Sequence, residues 1–113
     1  MKAPYIPERG ALVWLDFDPQ AGHEQAGKRP AIILSGSAYN ARIGLCIACP
    51  ITSKTKGYPF EVDIKGKRIS GIVLSDQVKS LDWRQRDIGF VEKASQSALD
   101  SVVDNIQLLI GSN

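Results

Sequence analysis

In 113 residues the chain carries only two cysteines, Cys46 and Cys49, and one histidine, His23. Two thiols cannot build a disulfide framework, and they suit a reducing compartment. A lone imidazole excludes nuclease chemistry by paired histidines and leaves a catalytic zinc site short of its usual ligands. No metal site is therefore expected. Long apolar runs are also missing. Nothing approaches the roughly 20 residues that span a bilayer, and the start MKAPYIPERG lacks the apolar stretch of a signal peptide. The expectation is a cytoplasmic protein without a membrane role. What remains, 43% apolar and 23% charged residues with 10 Gly and 6 Pro, is ordinary globular composition, and the length predicts a single domain over 1–113.

The net charge of +2 hides an uneven distribution. Residues 1–86 hold 13 of the 14 Lys/Arg and 8 of the 12 Asp/Glu, a balance of +5, while residues 87–113 hold one Lys and four acids, a balance of −3. A basic body suits a polyanion, because neutralised phosphates release counterions. Solvated surface charge is the alternative.

Residues 11–17, ALVWLDF, read as a strand closed by Asp18-Pro19. Residues 19–30, PQAGHEQAGKRP, have no apolar periodicity and read as a long connection, a kind of segment often functional. The runs 31–35 and 44–49 have buried-strand length, with GSAYNARI as a polar turn between them. Phe60, Val62 and Ile64 alternate with Glu61, Asp63 and Lys65, which predicts a strand with one wet face, followed by a hairpin turn at Gly66-Lys67. Residues 71–74 and 87–92 supply two more short strands. Leu99, Val102, Val103, Ile106 and Ile110 share one helical face, with Ser97 and Asp100 resembling a capping box and Gly111 placed to stop the helix. Short antiparallel strands followed by one helix predict a mainly β fold, a small strongly curved sheet or half-open barrel with a C-terminal helix. No internal repeat is present.

Cys46-Ile-Ala-Cys49 has the spacing of a redox or zinc motif. It lies on a predicted strand, where residues three apart face opposite sides, and no second ligand pair exists. Structural thiols are the reading. Glu24, Lys28 and Arg29 gather just ahead of a buried strand. A guanidinium fixed by the following Pro30 could grip a phosphate bidentately and stabilise charge growing on it; equally, Arg29 could be a surface residue paired with Glu24. Residues 50–57, PITSKTKG, place three hydroxyls and two lysines where a strand opens, either an oxyanion-binding edge or a hydrophilic turn. Asp76 to Lys79 and Trp83 to Arg86 add donors and an aromatic, with Trp83 as readily a core residue.

The segments EQAGKRP, TSKTKGYPFEV and DQVKSLDWR, in this order, resemble the MazF/PemK family of type II toxin-antitoxin ribonucleases across nearly the whole chain. The resemblance implies the CcdB/PemK toxin fold, an SH3-like small barrel with a C-terminal helix, as a homodimer. It implies a toxin that cuts single-stranded RNA at a short sequence without a metal or other cofactor. The family's catalytic arginine falls on Arg29, its threonine on Thr52 and its loop glutamate on Glu24. Phe17, Asn40, Lys54, Lys56, Gln77, Lys79 and Arg86 complete the candidate RNA-contacting set. The implied partners are RNA, a MazE-like antitoxin with an acidic flexible C-terminal segment, and operator DNA only as part of the toxin-antitoxin complex. In chemical terms, the ribose 2′-hydroxyl would attack the adjacent phosphorus and leave a 2′,3′-cyclic phosphate and a 5′-hydroxyl. Arg29 stabilises the phosphorane, Thr52 holds a phosphate oxygen, and Glu24 is the base, an orienting group or a reader of a base edge. The competing class is a non-catalytic CcdB-like toxin, or a regulator that only binds protein or operator DNA.

Overall fold

The computed structural model describes residues 5–17, 27–55 and 57–111. Seven strands form one antiparallel system: β1 (Ala11–Asp16), β2 (Lys28–Ile33), β3 (Leu45–Thr52), β4 (Glu61–Lys65), β5 (Ser70–Leu74), β6 (Lys79–Asp82) and β7 (Gly89–Lys93). Among the described residues two α-helices, α1 (Ser37–Ile43) and α2 (Gln96–Ile110), and two single 3-10 turns, Ser75–Gln77 and Trp83–Gln85, accompany them. The strand order is β4-β5-β3-β2-β1-β7, with β6 also on β3. β3 is the shared element. One edge pairs with β2, while the other pairs with β6 along Leu45–Ala48 and then with β5 at Ile51 and Thr52. The sheet therefore forks and curls into a half barrel, the predicted architecture.

Alternation along the strands feeds two apolar clusters on opposite faces. Cys49, Ile51, Ile64 and Val73 pack with Ala98, Leu99 and Val102 of α2. Cys46, Ala48, Ala31, Ile33 and Leu15 pack with Leu81 and Trp83. The two cysteines are free, buried and on opposite sides of the sheet, as their spacing on a strand demands. Burial pushes both thiols up to about 12, which removes the thiolate that redox or metal chemistry needs.

Three local expectations are corrected. The stretch GSAYNARI is not a turn but contains α1, ended by Gly44 at φ 82°. Its Asn40 is completely buried: the side-chain amide donates to the carbonyls of Pro7 (2.8 Å) and Ser35 (3.1 Å), and its backbone carbonyl accepts from Trp83 Nε1 at 3.0 Å. α2 is capped by Ser95, whose hydroxyl accepts from the Ala98 N–H at 3.2 Å, and not by Ser97. β6 was not expected from the sequence.

Candidate active site

Arg29 lies on β2 and not in the connection ahead of it. β2 and β3 pair at Ala31↔Pro50, Ile32↔Cys49 and Ile33↔Ala48. Continued two residues further, the same antiparallel register sets Arg29 opposite Thr52, the last residue of β3. Parity gives both side chains one face. Ala31 and Ile33 belong to the cluster around Trp83, so Arg29 follows on that side; Cys46 and Ala48 do likewise, so Thr52 follows. The candidate pair thus sits where an apolar row runs out into solvent, and both residues are half-buried.

Neighbouring elements fix this row. Thr52 pairs with Ile72 of β5, and Gly71 lets the two strands close up: a Cβ there would lie 2.7 Å from the Thr52 carbonyl oxygen. The Thr52 hydroxyl accepts from the Lys54 N–H at 3.3 Å, which leaves its own O–H to donate. Beyond it, the Glu61 carboxylate accepts from the Thr55 hydroxyl at 2.5 Å and the Gly57 N–H at 3.1 Å, holding the segment that follows β3. Tyr58 donates to Asp76 at 3.2 Å.

Cations surround the row. Lys79 stands opposite Ala48, two residues from buried Leu81, which places it on the same face. Arg86 donates from Nη1 to the Asp16 carbonyl at 3.1 Å, and its charge reaches Cys46, opposing the rise of that thiol. Lys54 is exposed and Gln77 half-buried. Lys28 instead pairs with Asp87 at 2.8 Å, and this hydrogen bond and charge hold the Asp87 carboxyl below the ordinary range.

Two residues of the candidate RNA-contacting set do not present their side chains. Phe17 is 0% exposed and packs in the Trp83 cluster, and Asn40 is the buried hub described above. Among the described residues the Phe17 ring lies in a core, and both donors of the Asn40 amide are already used. Glu24 and Lys56 lie outside the described residues, as does His23.

Residues 8–110 match the family model of PemK-like, MazF-like toxins of type II toxin-antitoxin systems. The chain belongs to this family. It is 44% identical over 111 residues to the endoribonuclease toxin MazF of Escherichia coli strain K12, covering 98% of this chain and 100% of that one. The endoribonuclease PemK of Escherichia coli is 31% identical over 108 residues, with 91% and 81% of the two chains covered. The fold is similar to the crystal structure of MazF from Deinococcus radiodurans, with a TM-score of 0.92, 49% identity, and 96% and 100% coverage. It is also similar to MazF in the MazE-MazF complex of that organism, at a TM-score of 0.84 and 42% identity, with 97% and 100% coverage.

Proposed function

We propose that this protein is the toxin of a type II toxin-antitoxin pair, a metal-independent endoribonuclease acting in the cytoplasm on single-stranded RNA. The observation that carries the reading is the β2–β3 register, which, continued from Ala31↔Pro50, brings Arg29 and Thr52 to one face at the open end of the sheet. The relatives' endoribonuclease activity agrees with it.

In this reading the nucleophile is the ribose 2′-hydroxyl next to the scissile phosphate. Its attack on phosphorus forms the 2′,3′-cyclic phosphate and expels the 5′-oxygen, so two protons must move and a second negative charge develops on the phosphorane. Arg29 contributes guanidinium N–H donation and a permanent charge to those oxygens. Thr52 donates its O–H to one of them, held in place by the Lys54 N–H. Glu24 is the candidate base for the 2′-hydroxyl proton, and solvent water supplies the proton that the departing 5′-oxygen takes up. Lys79, Arg86 and Lys54 hold phosphates on either side, supplying affinity without sequence information.

The complexes of related MazF with MazE support an antitoxin as partner. An acidic tail would compete with RNA for the basic face, and operator DNA would be bound only by the pair. Leu108 and Ile110, 68% and 79% exposed at the end of α2, suit a surface buried against a second copy in a homodimer.

The test is cleavage of a long unstructured RNA in excess EDTA, with the new ends sequenced. Fragments with 5′-hydroxyl and cyclic phosphate ends are expected. DNA of the same sequence, or RNA methylated at the 2′-oxygen of the cleaved position, should survive. Dependence on added Mg²⁺, or cutting of either resistant substrate, would overturn the mechanism.

A further inference from the structure

The basic character of the active face continues past Thr52 along the hairpin of β4 and β5. Thr52 pairs with Ile72, Ile72 with Asp63, and Lys65 with Ser70. Ile64 and Val73 occupy the α2-side core, so Thr52, Ile72, Asp63, Ser70 and Lys65 share the opposite face. Ser70 lies two residues, roughly 7 Å, beyond Ile72 along β5. The turn after it carries Lys67 and Arg68, both exposed.

This turn is held by its backbone, leaving those two side chains outside. The Glu92 carboxylate of β7 accepts from the N–H groups of Lys67 (3.0 Å), Arg68 (2.7 Å) and Ile69 (2.8 Å). Gly66 is needed for the approach, since a Cβ there would lie 2.6 Å from the same carboxylate. Among the described residues neither Lys65, Lys67 nor Arg68 makes an ion pair within 4.0 Å. Two cations therefore project from an anchored turn and Lys65 from the strand end before it, and an anchored turn loses little conformational freedom when it binds.

We infer that Lys65, Lys67 and Arg68 form a second phosphate-binding region that holds the RNA flank leading away from the cleaved position. The inference rests on the RNA-cleaving reading. A substrate strand seated at Arg29 and Thr52 extends in both directions; Lys65 lies on the same face, and the turn beyond it carries two further cations past the end of the hairpin. An RNA strand, with a phosphate at every nucleotide, carries regularly spaced charge from Thr52 out to the turn. Asp63, exposed on this face, interrupts the cations and sets the flank's phosphates toward the turn rather than along β4.

The test uses two uniformly 2′-O-methylated RNAs containing the mapped cleavage site, one confined to that site and one extended by about a dozen nucleotides on both sides. Wild-type protein should bind the longer RNA more tightly. The triple variant Lys65→Gln, Lys67→Gln, Arg68→Gln should lose most of that advantage, on the order of tenfold at low salt. Its slope of log K against log salt for the long RNA should shrink by about 2, since single strands release roughly 0.7 counterion per neutralised phosphate. Thermal melting of the variant checks that the turn stays folded. An unchanged length advantage, an equal loss for both RNAs, or lost affinity for an acidic peptide with RNA binding intact would each overturn the inference. Failure of the wild-type protein to cut any RNA would instead remove the cleavage reading, and this inference with it.

Discussion

Cys46 and Cys49 are three residues apart on one strand and belong to different cores. On the Cys49 side the alternation passes through Ile51 into a layer roofed by α2, so that face of β3 ends inside the protein. On the Cys46 side it passes through Ala48 and Pro50 and emerges at Thr52, opposite the projected position of Arg29. The same two-residue period gives a closed core on one side and an open polar row on the other. The candidate chemistry therefore lies at the end of a core row, and its geometry is inherited from strand pairing.

The sharpest way to separate the two sides is Arg29→Ala. We expect cleavage to fall by about 10² to 10³, the effect of losing one transition-state donor, with the unfolding temperature unchanged. Thr52→Val should cost roughly 10 to 100-fold, matching one hydrogen bond to a charged oxygen. Normal turnover in a folded Arg29→Ala protein would dissociate the row from the chemistry.

The reverse experiment is Leu12→Ala in the α2-side core, where Leu12 is fully buried. Denaturant titration should show a loss of about 2 to 5 kcal/mol, with the cleavage rate per folded molecule retained. Gly71→Ala should blur the distinction, because its Cβ would press on the Thr52 carbonyl oxygen at 2.7 Å. A stability loss of about 1 to 3 kcal/mol should come with a several-fold loss of cleavage, measured on the same preparation. A rate loss equal to that of Leu12→Ala would show that Gly71 does not position Thr52.

The smallest effect is expected at Glu92. Backbone N–H groups of Arg68 and Ile69 hold its carboxyl below the ordinary glutamate value of 4.5. A depressed folded value means that its stabilisation is complete above that ordinary value and is lost as pH falls through the folded one. Melting temperatures followed from neutral pH down through this acid range should show a shallower decline in Glu92→Gln than in the parent, from a lower starting point.

Much of this was legible in the residues. The 3.6-residue stripe gave α2, and strict alternation gave β4, because both elements bury one face and leave the other wet. α1 escaped notice because its seven residues have no apolar stripe; its buried member is Asn40, and only Gly44 at its end gives a local signal. β6 escaped for a similar reason, since Leu81 alone is buried in KSLD. At the site, resemblance picked out Arg29 and Thr52, while their facing register depends on β2 and β3 pairing and has no local signature. That the side chains of Phe17 and Asn40 are buried has no local signature either, because strand and helix facing decide which way a side chain turns. The cations at 65, 67 and 68 were visible as charge, but their alignment with Thr52 required the path through β5.

One hydrogen bond described by the strand register carries a consequence for how such a protein changes over time. The Phe17 N–H donates to the Gly27 carbonyl at 2.9 Å, extending the register Asp16↔Lys28 by one step. Arg29, two residues beyond that closing bond, is therefore placed by main-chain pairing with β1. Side chains on the exposed positions of the neighbouring strand, such as Trp14, are free to change over time while the strand that carries the guanidinium stays where it is.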